Sequence, residues 1–173
     1  MSGAPRGSER TTTGERVLVA GVGNVFLGDD GFGPAVVARL AEQPLPAGVR
    51  AVDYGIRGVH LSYDLLDGWD ALVLVDALAG DGPAGELRLL EVTDADLAGA
   101  PPLDGHSLHP LAVLSSLPAL GGRLPLTRVV GCTPASVQEG MGLSAPVRAA
   151  VEPAASRVRA LVAELAVPAG AGT

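Results

Sequence analysis

The chain has 173 residues, of which 47% are apolar, and this length and composition suit one compact domain with a full core. The 19 acidic and 12 basic residues give a net charge of −7 with no Arg-rich block, which argues against a nucleic acid partner. All the basic residues are Arg, so the sequence excludes chemistries that need a lysine amine, namely Walker-type phosphate loops and Schiff-base enzymes.

The two ends of the chain differ in composition from its middle. Residues 1–15 are rich in Arg, Ser, Thr and Gly, and residues 168–173 in Gly and Ala. The first 15 residues have no apolar core of signal-peptide length, and no run of about 18 apolar residues occurs, so we predict no membrane insertion. We predict a disordered tail over 1–15, a single domain over 16–167 and a flexible tail over 168–173. The single cysteine, Cys132, excludes an internal disulfide and fits a reducing cytoplasm.

Three short apolar runs, 16–21, 49–54 and 71–76, each stop at a Gly or an Asp and are separated by helix-compatible segments. This spacing predicts repeated strand-helix units and a parallel sheet. The run 71–76 is continuously aliphatic from Leu72 to Val75, which is typical of a central strand. The run 86–92 follows too soon for a helical crossover, so we predict an antiparallel or edge strand and hence a mixed sheet.

The remaining elements are also predicted from periodicity and proline placement. Residues 34–40 are helix-like, and 108–120 predict a helix with Pro110 in its first turn and Pro118 at its end. Residues 126–131 predict a last strand. Ser144 is expected to cap a long terminal helix with Pro146 in its first turn. The buried stripe of that helix is predicted to be Val147, Val151, Ala154, Val158, Leu161, Val162 and Leu165.

A glycine-rich turn over 21–31 joins the first strand to the first helix and ends in Asp29 and Asp30. Such turns often bind phosphate, but two adjacent carboxylates would repel one, so this turn suits a cation or a proton. One of the two carboxylates is equally well explained by turn formation or by favourable charge at a helix start.

Four candidate groups follow strands or precede a helix, where ligands gather in sheets of this type. Asp30 follows the first strand, Asp53 ends the second, Asp76 ends the third, and His106 precedes the 108–120 helix. An acid after four buried aliphatic residues is costly unless it is paired or used, which favours a function for Asp76. Two carboxylates and an imidazole could ligate a divalent transition metal or act as general acid and base.

Weaker candidates have simpler explanations. A lone histidine is often a loop residue, which applies to His106 and more strongly to His60 and His109, although His109 could share the environment of His106. Residues 21–26 begin like a dinucleotide fingerprint, but Phe26 stands where the third glycine is required. Ser107 lies in a segment one glycine short of a nucleophile elbow. Cys132 could be a thiol nucleophile, or simply a small buried residue.

Taken together, these segments resemble the [NiFe] hydrogenase maturation endopeptidases over about residues 16–165. The order and spacing of the motifs both fit, which makes the likeness more specific than any one glycine pattern. The matching segments are Gly21-Val-Gly-Asn24, Asp29-Asp30-Gly31-Phe-Gly33, Asp53-Tyr-Gly-Ile-Arg-Gly58, Val75-Asp76-Ala77, His106-Ser-Leu108, Val113-Leu-Ser115, Gly131, Pro134, Ser136 and Gly142-Leu-Ser144.

The resemblance implies a three-layer αβα fold with a twisted, mostly parallel, mixed sheet of about five strands, of the phosphorylase/hydrolase-like kind. It also implies that Asp30, Asp76 and His106 are both the catalytic residues and the metal ligands. Some members of the family have Glu where this chain has Asp30. Supporting or substrate-binding roles are implied for Asp29 and for the loop that carries Asp53, Gly55, Arg57 and Gly58, and Arg57 is a candidate contact for the substrate's C-terminal extension.

The function implied by the resemblance is aspartic-type or metal-assisted endopeptidase activity, which removes the C-terminal extension of a nickel-loaded hydrogenase large-subunit precursor. Nickel would be carried by the substrate and ligated transiently, with no nucleotide cofactor. We expect a cytoplasmic monomer. Two alternatives stay open: a non-catalytic nickel-sensing chaperone for hydrogenase assembly, and a nucleotide-binding oxidoreductase.

Overall fold

A single five-stranded sheet forms the centre of the computed structural model, which describes residues 15–100 and 109–167. The strands are β1 (Val17–Val22), β2 (Val49–Gly55), β3 (Ala71–Ala77), β4 (Leu87–Val92) and β5 (Leu126–Cys132), in the order β2-β1-β3-β5-β4. All neighbouring pairs are parallel except β4 with β5, which is antiparallel. The mixed sheet, the central position of β3 and the antiparallel edge strand are therefore confirmed.

In the described part of the chain five helices accompany the sheet: α1 (Phe32–Leu40), α2 (Gly58–Leu65), α3 (Asp94–Ala98), α4 (Pro110–Ser115) and α5 (Ala145–Leu165). Pro110 lies in the first turn of α4 as predicted, but α4 is shorter than the predicted helix. It ends at Ser115, and Pro118, which lacks a backbone N–H, opens a separate 3-10 turn, Pro118–Leu120. Helix α3 was not predicted. No helix within the described ranges is long and apolar enough to cross a membrane.

Two hydrophobic layers enclose the sheet because successive residues of a strand point to opposite faces. Val17 and Val19 pack on one face with α1 and α5, whereas Leu18 and Ala20 pack on the other with α2 and α4. The predicted stripe of α5 is confirmed, since its members are buried or packed against the first of these layers. The expected three-layer αβα fold is thus the observed one.

A close approach of α1 to the sheet sets the position of the turn that carries Asp29 and Asp30, called the acidic turn below. A Cβ added to Gly33 would lie 2.3 Å from the carbonyl oxygen of Val22 and 2.4 Å from that of Val75. Only a residue without a side chain lets the start of α1 pack against the ends of both β1 and β3. The 3-10 turn Gly28–Gly31, directly before α1, is therefore held at the carboxyl edge of the two central strands.

Residues 1–14, 101–108 and 168–173 lie outside the described part of the chain. The predictions of a disordered N-terminal tail and a flexible C-terminal tail fall on them almost entirely. The predictions for His106 and Ser107 also fall on these residues.

Candidate active site

A cleft of about 430 Å³ opens at the carboxyl ends of β1 and β3, on the side of the sheet covered by α2 and α4. Asp30, from the turn after β1, and Asp76, at the end of β3, both line this cleft. The loop between β2 and α2 and the first turn of α4 complete its wall. The structure therefore brings together two of the three residues that the sequence placed at the site.

Asp30 is half-buried and is held in place by its own loop. Its Oδ2 accepts a hydrogen bond from the backbone N–H of Asn24 at 2.7 Å. Gly23 has a φ of +138°, and a Cβ at this position would lie 1.9 Å from the carbonyl oxygen of Asp30. The loop from Gly23 to Asp30 is thus closed tightly enough to give the carboxylate a defined position at the cleft wall.

Asp76 is the more buried of the two cleft carboxylates, with only 7% of its surface exposed. Burial raises its pKa, the nearby charge of Asp30 raises it further, and a hydrogen bond from the backbone N–H of Ala77 lowers it by less. The net result is a pKa well above the usual value for aspartate. Two carboxylates whose environments differ in this way suit acid-base chemistry or the binding of a cation.

Asp29 differs from its neighbour because its side chain is fully buried and does not line the cleft. Its Oδ1 accepts a hydrogen bond from the N–H of Ser144, and its Oδ2 accepts bonds from the N–H groups of Ala135 and Ser136 and from the Ser144 hydroxyl. Burial raises its pKa, but these bonds together outweigh that effect and the net pKa is lowered. A direct substrate contact, one of the two roles predicted for Asp29, does not fit this burial, whereas a supporting role does.

The loop between β2 and α2 borders the cleft, but its charged residues bond within the loop. Gly55 and Gly58 line the cleft. The Oδ1 of Asp53 accepts a hydrogen bond from the N–H of Gly55 at 2.8 Å. The Arg57 guanidinium donates to the carbonyl oxygens of Asp53 at 2.9 Å and Tyr54 at 3.3 Å. Asp53 and Arg57 therefore shape the loop, and a contact between Arg57 and substrate stays a prediction.

His109 lines the cleft beside Asp30 and Asp76, whereas His106 lies outside the described residues. His109 is the N-cap of α4, where its Nδ1 accepts a hydrogen bond from the N–H of Leu111 at 3.3 Å. The sequence signal for this position was a polar residue directly before Pro110, a common arrangement at a helix start. Within residues 15–100 and 109–167, no group of three His, Cys, Asp or Glu side chains could hold a metal ion.

Two further residues of the cleft were not assigned a role from the sequence, and one candidate loses support. Asn24 supplies the N–H that fixes Asp30, and Ile56 contributes an apolar side chain to the cleft although 58% of it is exposed. Cys132 is buried, and burial, followed by the charge of Asp29, raises its pKa to about 11 against a smaller opposing effect of the Gly85 N–H. Its thiol stays protonated at neutral pH, which favours a small buried residue over a nucleophile.

The fold and the cleft define an α/β protein with a paired-carboxylate site at the carboxyl edge of its sheet. A sequence model of the family described as "Hydrogenase maturation protease" matches residues 34–160. The Hydrogenase 2 maturation protease of Escherichia coli is 32% identical over 156 residues, which are 89% of this chain and 94% of that protein. The delta subunit of coenzyme F420 hydrogenase from Methanothermobacter thermautotrophicus is 31% identical over 143 residues, covering 78% and 87%.

Solved structures give the same result. The hydrogenase maturating endopeptidase HybD from E. coli superposes with a TM-score of 0.74 at 31% identity, over 86% of this chain and 93% of that one. The [NiFe] hydrogenase maturation protease HybD from Thermococcus kodakarensis gives 0.67 at 27% identity, over 84% and 98%. The chain belongs to the hydrogenase maturation protease family, and the predicted family is confirmed. Members of this family are peptidases.

Proposed function

We propose that the protein is an endopeptidase that removes the C-terminal extension of a [NiFe] hydrogenase large-subunit precursor after nickel has been inserted. The observation that supports this most directly is the opening of Asp30 and Asp76 onto one cleft at the carboxyl edge of the sheet. The names of the E. coli and T. kodakarensis relatives, both hydrogenase maturation proteases, support the choice of a hydrogenase as partner. The proposed site of action is the cytoplasm and the proposed state is a monomer.

The size of the cleft supports an extended substrate segment. A volume of about 430 Å³ accommodates a few residues of an extended chain but not a folded domain. Ile56 and Leu78 give this cleft apolar walls next to the two carboxylates. In the proposal, the C-terminal segment of the precursor enters the cleft while its folded part stays outside.

The donor set suits a nickel ion that arrives with the substrate. Carboxylate oxygen and imidazole nitrogen both bind divalent transition metals. The pKa of Asp76 is raised by burial and then by the charge of Asp30, and a cation near both carboxylates would offset these effects. In the proposal His106 supplies the third donor, and the presence of nickel in the precursor serves as a test of its maturity.

The two carboxylates have complementary roles in the proposed hydrolysis. Asp30, the more exposed of the pair and fixed by the Asn24 N–H, accepts the proton of the attacking water. Asp76 ligates the substrate's nickel ion in its ionised form, and the proton that Asp30 has accepted from the water passes to the leaving amine. Removal of the Asp30 carboxylate should lower the rate by about 10²- to 10⁴-fold, the usual contribution of a positioned acid or base.

The direct test is incubation of the purified protein with a nickel-loaded precursor, followed by mass measurement of the precursor's C-terminus. We expect shortening by the wild type, none with the nickel-free precursor, and strongly reduced cleavage by Asp30→Asn and Asp76→Asn. Asp67→Asn is a matched control, because Asp67 is exposed and lies before the start of β3, away from the cleft. If the folded wild type leaves the nickel-loaded precursor intact, the chaperone hypothesis replaces the peptidase.

A further inference from the structure

We propose that Asp29 is a positioning residue, which holds Asp30 in the cleft by fastening the Gly28–Gly31 turn to the segment 135–144. The proposal deepens the function proposed above and depends on it only where cleavage is measured. The structure itself supplies a second readout that does not involve cleavage, namely the hydrogen bond from the Asn24 N–H to Asp30.

The buried carboxylate of Asp29 accepts four hydrogen bonds. Its donors are the N–H groups of Ala135 at 2.8 Å, Ser136 at 3.2 Å and Ser144 at 2.7 Å, and the Ser144 hydroxyl at 2.8 Å. Hydrogen bonds to a charged group are stronger than those between neutral groups. One side chain therefore joins the Gly28–Gly31 turn both to the loop after β5 and to Ser144, the N-cap residue of α5.

Backbone hydrogen bonds also attach the same turn to the segment 135–144. The N–H of Gly28 donates to the carbonyl oxygen of Gly140 at 2.8 Å, and the N–H of Asp29 donates to that of Ser136 at 3.0 Å. Leu27 also forms an isolated bridge with Gly140. The turn is thus fixed by contacts with residues more than 100 positions later in the sequence.

Asp30 shares this turn, and its placement depends on the turn's geometry. Its own N–H donates to the carbonyl oxygen of Leu27 at 3.1 Å, and its carboxylate accepts from Asn24 at 2.7 Å. Replacing Asp29 by Asn keeps the volume, but in either orientation of the amide its NH₂ group faces at least one backbone N–H, that of Ser144 or those of Ala135 and Ser136. At least one donor must then turn away, and we expect the turn to shift Asp30 out of its bond with Asn24.

The alternative is that Asp29 only stabilises the fold. A merely stabilising residue would change the fraction of folded protein but would leave the Asn24–Asp30 bond and the turnover of folded molecules as in the wild type. The amide of Val73, in the centre of β3, reports global opening, so the ratio of Asn24 to Val73 exchange isolates the local effect.

The experiment compares amide hydrogen exchange in the wild type, Asp29→Asn, Asp30→Ala as a reference without the bond, and Asp67→Asn as a control. We expect Asn24 in Asp29→Asn to exchange at least about tenfold faster relative to Val73, approaching the Asp30→Ala value, because tenfold corresponds to the loss of one typical hydrogen bond. With precursor, we expect kcat to fall by about 10²-fold with KM little changed, as for a misplaced catalytic group.

Each outcome decides the matter. Wild-type exchange at Asn24 together with wild-type kcat in folded Asp29→Asn would overturn the proposal. Absence of cleavage by the wild type would refute the proposed function, while faster Asn24 exchange would still support the positioning role. If Asp29→Asn does not fold, Ser144→Ala, which removes one of the four donors, decides instead: faster Asn24 exchange supports positioning, and an unchanged rate overturns it.

Discussion

Replacing Asp76 by Asn should stabilise the fold increasingly as the pH rises, because this carboxylate is ionised at a cost. Burial and then the charge of Asp30 raise its pKa well above the ordinary value of 3.8. As the pH passes 3.8, the unfolded chain loses this proton first, so the wild type becomes less stable until the folded pKa is also passed. An Asn at this position does not titrate and escapes that loss.

The size of the effect follows from the same linkage. Each pKa unit by which the folded value is raised corresponds to about 1.4 kcal/mol of lost stability above the folded pKa. In a domain of this size, each kcal/mol changes Tm by about 2–4 °C. The Asn side chain can still accept the Ala77 N–H, and any cost of burying its NH₂ group is independent of pH. The pH dependence of the stability difference between Asp76→Asn and wild type therefore isolates the effect of the Asp76 charge.

Urea unfolding of wild type, Asp76→Asn and Asp67→Asn at pH 5 and at pH 8 measures this difference. We expect the stability of Asp76→Asn relative to wild type to increase between the two pH values, and that of the exposed control Asp67→Asn to change little. A relative stability of Asp76→Asn that is constant or falls toward pH 8 would refute the account of Asp76 as a buried, charge-coupled acid.

Substitutions at three further positions, Gly33, His109 and Leu72, test the packing of the fold around the cleft. Gly33→Ala should lower the free energy of unfolding by about 1–3 kcal/mol or more in urea titrations, because its Cβ would meet two carbonyl oxygens at 2.3 and 2.4 Å, whereas Gly99→Ala, whose nearest neighbour is at 4.0 Å, should cost much less. His109→Asn should keep a Tm close to that of the wild type, because Asn also caps helices. His109→Ala should lower the free energy of unfolding by about 1 kcal/mol and so lower the Tm. Equal Tm values for the two variants would argue against a capping role for His109. Leu72→Ala should cost about 2–5 kcal/mol in the same titrations, and a loss under 1 kcal/mol would contradict its place in the core.

The fold was largely predictable because its signals are local. The aliphatic run from Leu72 to Val75 marks a buried parallel strand, and the spacing of apolar residues marks α5. Helix α3 escaped prediction because it has five residues, two of them acidic, and no residue of it is buried. The short α4 reflects Pro118, which limits the helix more strongly than the apolar periodicity extends it.

The candidate site was predictable only to the level of residue types at strand ends. Topology alone predicts that residues ending β1 and β3 meet at one edge, and Asp30 and Asp76 do so. The different environments of Asp29 and Asp30 were not predictable from the sequence. They depend on hydrogen-bond donors at 135–144 that come close to Asp29 only in the folded chain. The same applies to Asp53 and Arg57, whose local bonds compete with a role in the cleft.

The bond between Asp29 and Ser144 joins residues 115 positions apart, and this separation affects the order in which the molecule matures. Contacts between distant parts of a chain carry a large loop-closure entropy and form late. β1 and β3 can pair before the start of α5 arrives, but the acidic turn gains its last anchors only afterwards. Proteolytic competence should therefore be among the final properties that the newly synthesised chain acquires.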